Sequence, residues 1–331
     1  MTIKDVAKKT NYSVATVSRV INGDSNVAPK TREKILAAIK EMGYVPNLLG
    51  RNLRQLASNV VYVLLPSINN SFYSKIVQSI EKESIKTGIS IMICETYNEY
   101  KRYKNFMDSV RKKLADGIIL ISPGKPEVVP NFDDIPAVVC CESNNFNCSQ
   151  VDIDNEQAGY DAVSHLIEIG KKKIAFIGGN FTSSHLRKQG YMRALQEAGL
   201  EIIPELIFDN EYYDYEDGLR AAKQILGSNL KPDAIFAVTD QIAFGVIKVF
   251  LRAGLKIPQD VAVCGFDNLT YAKMNNPSLT TIMQPREELG AEAFRLLYAK
   301  LKKSQTKNKT IILKHKLIKR YSTTGVEEED I

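Results

Sequence analysis

The sequence is poor in the groups that carry catalysis. Its 331 residues include three histidines, His165, His185 and His315, scattered along the chain. GxSxG, HExxH, P-loop and Rossmann GxGxxG patterns are all absent. GIILISPG and FIGGN read as glycine-ended strands, not phosphate cradles. These absences argue against an enzyme, and neither a cofactor nor a metal is expected. The five cysteines, Cys94, Cys140, Cys141, Cys148 and Cys264, form no CxxC pair. Four of them sit in or at the ends of apolar runs, so reduced, buried thiols are the expectation, ahead of a redox role for Cys140–Cys141. No apolar run is long enough to span a membrane, and MTIKDVAKKT lacks the apolar core of a signal peptide. A cytoplasmic protein with no membrane partner is expected. The tail GVEEEDI shows no leucine heptads of a tetramerising coil.

What is present is an uneven charge. Residues 1–58 hold ten Lys and Arg against four Asp and Glu, a balance of +6. The whole chain has 44 against 38, also +6, so the remainder is neutral. A small basic head on a neutral body is the footprint of nucleic-acid binding joined to a second task. The head reads as helix, turn, helix, loop, helix. Thr2 and Asp5 make a capping signal for the first helix. Ser13 caps a second, in which Val17, Val20 and Ile21 form one stripe. Its other face carries Ala15, Arg19 and Asn22, flanked by Thr16 and Ser18. Pro29 opens a third helix with Ile35, Ile39 and Met42 inward, ending at Gly43. This is a helix-turn-helix plan. Residues 47–59, NLLGRNLRQLASN, form a basic connector with helical leucine spacing, weakened by Gly50.

From residue 59 apolar β-branched runs (VVYVLLP, ISIMIC, DGIILIS, PAVVCCE, KIAFIGG, AIFAVTD, VAVCGFD and TTIMQP) alternate with amphipathic stretches. Repeated β-α units predict an α/β body of two doubly wound parallel-sheet subdomains. Ligands of such sheets bind at strand carboxyl ends, which singles out Ser67, Ser122, Glu142, Asp240 and Asp267. A Ser or Asp after a strand is often only the N-cap of the next helix, a reading that weighs equally with ligand binding for Asp240.

DVAKKTNYSVATVSRVING, TREKILAAIKEMGYVPN, GFDN and LTTIMQP together resemble the lactose-repressor/galactose-repressor family of bacterial transcription regulators, over essentially the full length. The resemblance implies a head at 1–46, a hinge helix at 47–58 and an effector-binding, dimerising body at 59–331. Its body would resemble periplasmic sugar-binding proteins. One subdomain would span about 59–157 and 286–308, the other about 158–284 and 310–325. The resemblance marks Thr2, Val14, Ala15, Thr16, Ser18, Arg19, Asn22, Asn47, Arg51 and Leu53 for DNA. Val14 and Ala15 would set specificity, Arg19 would read bases, and Leu53 would wedge into the minor groove. On the wheel Val14 lies at the edge of the apolar stripe, which gives it a partly structural role. For the effector the resemblance marks Ser67, Phe72, Tyr73, Glu142, Arg187, Tyr213, Thr239, Asp267 and Gln284, the last at the third chain crossing. Ser67 stands where many relatives have Asp, Gly50 where the hinge usually has Ala, and Ala28 replaces the usual cap. The implied protein is a homodimeric repressor that reads a pseudopalindromic operator under a carbohydrate or nucleoside effector. A protein corepressor of the catabolite-control kind is the alternative. A sugar-binding protein with no DNA function is the remote one.

Overall fold

The computed structural model describes residues 1–21, 23–44, 57–123, 129–142, 146–210, 214–304 and 307–326. The chain divides into two units, Met1–Ser58 and Asn59–Ile331.

The first unit holds α1 (Ile3–Thr10), α2 (Val14–Ile21) and α3 (Pro29–Met42). The backbone N–H of Thr2 donates to Asp5 Oδ2 at 2.7 Å and fixes the start of α1. Asn11, at φ 58°, ends that helix in the left-handed region that Asn tolerates. At the start of α2 the Thr16 N–H donates to Ser13 Oγ at 3.1 Å, as the capping argument requires. Ala28 supplies no side-chain cap to α3, which starts on Pro29 and stops at Gly43. The core is Val6, Ala7, Val17, Val20 and Ile35, with Ile39 and Met42 packed against it.

Among its described residues the second unit contains two six-stranded sheets. The first is built from β1 (Val60–Leu65), β2 (Ser90–Glu95), β3 (Gly117–Ile121), β4 (Ala137–Cys140), β5 (Ser149–Ile153) and β11 (Thr310–Leu313). Its order is β11-β5-β4-β3-β1-β2, all parallel. Its helices are α4 (Ser71–Ile85), α5 (Tyr100–Arg111) and α11 (Arg286–Leu301). The second sheet has β6 (Ile174–Gly179), β7 (Ile207–Asn210), β8 (Ala234–Ala237), β9 (Ala262–Asp267), β10 (Thr280–Met283) and β12 (Lys316–Ile318). Its order is β12-β10-β9-β8-β6-β7, parallel except for β12. Around it lie α6 (Asn155–Glu168), α7 (Thr182–Glu197), α8 (Tyr215–Gly227), α9 (Asp240–Arg252), α10 (Thr270–Met274) and α12 (Tyr321–Thr324).

Strand β11 corrects the expected subdomain boundary. Residues 310–313 pair in parallel with β5 of the first sheet, not with the second. The alternate residues Ile311 and Leu313 turn toward the first sheet's core, and only after them does the chain cross to β12. The third crossing is therefore at 313–316. Gln284 lies at the second, between β10 and α11.

Helices α6 and α7 touch backbone to backbone at two glycines. A Cβ on Gly190 would overlap the Glu156 carbonyl and lie 2.5 Å from Tyr160 N, and one on Gly159 would overlap the Arg187 carbonyl. Backbone cannot rotate aside as a side chain can, so this approach requires glycine. It also sets where α7 delivers Arg187. Gly190→Ala is expected to lower stability by about 1–3 kcal/mol, read as a lower urea midpoint of the full-length protein at unchanged m value. An unchanged midpoint would mean that the two helices are not held this closely.

Candidate functional site

On α2 the structure separates two faces. Val17 and Val20 are buried, whereas Ala15 and Arg19 are exposed and Thr16 and Ser18 half-exposed. Val14, at the edge of the stripe, is 40% exposed and so belongs mainly to the outer face. Thr16 Oγ1 lies 2.9 Å from Ser13 Oγ, and Thr2 is exposed beside Asp5. This face is small and rich in hydroxyls with a single long cation. That is the profile needed to approach a duplex closely, with hydroxyls to phosphates and guanidinium to guanine. Asn22, Asn47, Arg51 and Leu53 lie outside the described residues.

In the second unit both sheets are doubly wound, and the carboxyl ends of their strands meet at one cleft. The first sheet contributes Asn70, Phe72 and Tyr73 after β1, Ser122 after β3, Cys141 after β4 and Asp152 from β5. The second contributes Ser183 and Arg187 after β6, Thr239 after β8, Asp267 at the end of β9 and Gln284 after β10. Of the residues marked for an effector, Phe72, Tyr73, Arg187, Thr239, Asp267 and Gln284 are thus brought together. Phe72 and Tyr73 also belong to the first sheet's core, and their rings meet edge to face at 5.6 Å. Ser67 does not join them. Its hydroxyl donates to Glu95 Oε1 at 3.2 Å, outside the cleft lining. Glu142 stands behind the lining and accepts from Ser183 N at 2.9 Å, a link from the first sheet's loops to α7. Tyr213 lies outside the described residues.

Arg187 is the centre of the cleft. It is 7% exposed. Its Nε donates to Asn155 Oδ1 at 2.9 Å and its Nη1 to the Val238 carbonyl at 2.6 Å. The guanidinium lies 3.5 Å from the centroid of the Phe266 ring. Asn155 in turn donates to Asp152 Oδ1 at 3.2 Å, and Gln284 donates to Asp267 Oδ1 at 2.7 Å. Asp152 and Asn155 were not singled out from the sequence. SQVDI has no unbroken apolar run to mark it as a strand, so its strand-end position was hidden. Asp240 has a structural role. It accepts from Leu269 N at 2.7 Å and Thr281 Oγ1 at 2.6 Å, while Thr239 Oγ1 caps α9.

The cleft carries more acid than base. Asp152, Asp267 and the adjoining Glu142 face one guanidinium. Burial pushes the Glu142 carboxyl up to about 7, despite the hydrogen bond from Ser183 N. Burial raises Asp267 to about 6, with Arg187 and Gln284 opposing. A neutral ligand rich in hydroxyl donors suits this set better than an anion does. The cavity volume is only about 30 Å³, roughly one water's share of liquid. A sugar-sized ring does not fit this space in the present conformation. Cys140 and Cys141 are buried free thiols with sulfurs 3.4 Å apart, and burial raises the Cys141 thiol far above its ordinary range. That suppresses the thiolate on which redox chemistry depends. Among the described residues no cluster of His, Cys, Asp and Glu could hold a metal. Among the described residues no helix is long and apolar enough to cross a membrane.

The raised carboxyls make stability depend on pH. The folded state holds protons more tightly than the unfolded one, so the Glu142 contribution is complete below about pH 4.5. It is lost as pH rises through about 7. Buried His165, lowered to about 4 by burial, works in the opposite direction over the acidic part of this window. The carboxylate's part is therefore read by difference. Glu142→Gln is expected to gain stability on the parent between pH 5 and pH 8, by about 2–3 kcal/mol. Parallel melting curves for parent and variant across that range would contradict the assignment.

Comparison with known proteins bears on both units. Residues 2–47 match the family model described as bacterial regulatory proteins, lacI family. Residues 163–323 match a periplasmic binding protein-like domain. Catabolite control protein A of Priestia megaterium is 36% identical over 330 residues, covering 98% of this chain and 99% of that protein. The transcriptional repressor CytR of Escherichia coli is 33% identical over 331 residues, covering 98% and 97%. The lac repressor dimer, bound to operator and the anti-inducer ONPF, superposes with a TM-score of 0.88 at 26% identity, covering 98% and 99%. The regulator CelR, in complex with cellobiose, gives 0.76 at 30% identity, covering 97% and 99%. With a relative this similar spanning nearly the full length of both proteins, the chain belongs to the lacI family of bacterial regulatory proteins.

Proposed function

We propose that the protein is a homodimeric transcriptional repressor whose hold on DNA is set by a small sugar-like or nucleoside effector in the cleft. The observation that carries this reading is the pairing of two features in one chain. One is a basic helix-turn-helix unit with Arg19 on an exposed, small-residue face. The other is a cleft centred on Arg187, where the strand ends of both sheets converge. Two heads would read a pseudopalindrome with half-sites about one helical turn apart. The connector at 47–58 would order on the operator, with Leu53 wedged between base pairs. The effector would act by favouring a more open body than the closed one seen here. A ligand shifts such an equilibrium only by its differential affinity for the two states. The lac repressor dimer on its operator and the CelR–cellobiose complex, both similar over nearly the whole chain, support this reading.

The test separates base reading from phosphate attraction. An operator is first selected from a pool of random duplexes. Arg19→Ala is expected to weaken binding to that operator by about 1–3 kcal/mol and to relax base preference at one position. Lys4→Ala should weaken selected and random DNA alike and reduce the salt slope by about one. Identical behaviour of the two variants on both duplexes would show that α2 is not the reader.

A further inference from the structure

The turn after β4 carries Glu142 from the first half of the body to the second. Two main-chain bonds of Cys141 fix that turn. The Cys141 N–H donates to the Val151 carbonyl at 3.0 Å, and the Ser122 hydroxyl donates to the Cys141 carbonyl at 2.9 Å. Cys141 sits at φ 61°, a left-handed conformation that non-glycine residues rarely adopt. Its neighbours therefore hold the direction in which Glu142 leaves the sheet. On the other half, α7 begins without a cap of its own. Phe181 stands at the N-cap position and has no side-chain oxygen to offer. The Ser183 N–H, in the first turn, donates instead to Glu142 Oε1 at 2.9 Å. A carboxyl rooted in the first half thus caps a helix of the second, where an orphan N–H and the positive end of the helix both favour it.

The contact is almost dry, with Glu142 3% exposed. Two charged groups face it. Asp152 on β5 opposes its ionisation, and Arg187 on α7 favours it. The adjoining Cys141 thiol is kept neutral by its own burial. Burial is the largest influence and lifts the carboxyl from its ordinary 4.5 to about 7. Parting the halves would return it to water and to the ordinary value. The closed body therefore binds this proton more tightly than an open one, so closing takes the proton up and raising the pH through neutrality favours opening. A second contact between the halves, Leu269 packed into the first sheet's core, is apolar and has no such dependence.

We propose that Glu142 is a proton-sensitive clasp, whose cap on α7 holds the two halves of the body closed and whose ionisation loosens them. This rests on the two body states invoked above and holds for any ligand of the cleft.

The experiment measures the distance between spin labels on the two halves of the full-length protein. Lys101→Cys on α5 and Glu216→Cys on α8 place the labels at exposed positions, and the native cysteines are buried. Labelled protein is diluted with unlabelled protein so that pairs within one chain dominate. Between pH 5.5 and pH 8.5 the closed-to-open ratio is expected to fall by about 30-fold, the linkage factor for a carboxyl that moves from 4.5 to about 7 on closing. Exchange of the Ser183 amide, corrected for its intrinsic rate, should quicken in step. Glu142→Gln cannot ionise yet can still accept from Ser183, so it should stay closed at both pH values. Glu142→Ala should be more open at both. A pH response shared by the parent and Glu142→Gln would overturn the proposal. So would a Ser183 amide that loses protection while the label distance stays constant, which would leave Glu142 as a helix cap and nothing more. Neither result touches operator binding, so the repressor reading stands or falls separately on the Arg19 test.

Discussion

A buried hydrogen-bond chain joins the two halves of the body: Asp152 of β5 to Asn155, Asn155 to Arg187, and Arg187 to the Val238 carbonyl at the end of β8. Everything proposed about the cleft depends on it. A guanidinium this deeply buried is costly unless its donors are satisfied. Here an amide, a main-chain carbonyl and the face of Phe266 share that task. Arg187 reaches them because Gly159 and Gly190 let α6 and α7 close to backbone contact. Asn155, Arg187 and Val238 all belong to the second sheet and its helices, so these bonds preset the guanidinium within that half, facing the strand ends of the first sheet.

The head works by the opposite arrangement. Its core is small, and the outer face of α2 is left without bulk. Val17 and Val20 anchor the helix while Val14, Ala15 and Arg19 remain accessible. Net positive charge is concentrated in the residues that include this unit, and the body is neutral. Long-range attraction to a polyanion thus belongs to the head, and the body is free to bind an uncharged ligand without competing for it.

Much of this was legible in the sequence because strong patterns encode it. The wheel of SVATVSRVING already separated the buried valines from the polar face. The apolar runs from VVYVLLP to TTIMQP located most of the strands in the correct alternation. What escaped notice was short, and in β5 and β7 partly polar. β5 (SQVDI), β7 (IFDN), β11 (TIIL) and β12 (KLI) are only three to five residues long. β5 is wholly buried yet carries a Ser, a Gln and an Asp, because its polar side chains find partners or face the cleft. Missing β5 concealed Asp152 and Asn155, and missing the break between β11 and β12 misplaced a boundary and the crossing near Gln284. Ser67 could not be placed from sequence either. A serine after a strand looks the same whether it faces a ligand or, as here, a neighbouring glutamate.

The central claim is that the cleft and the DNA-reading helix are thermodynamically linked. The most direct measurement is the operator Kd of the full-length protein, with and without a saturating ligand that raises its Tm, paired with the ligand's Kd on free and operator-bound protein. The account predicts that both affinities change by one common factor, about 5- to 150-fold. A ligand that stabilises the protein while leaving operator affinity unchanged would show that the cleft binds without regulating, and the account would fail.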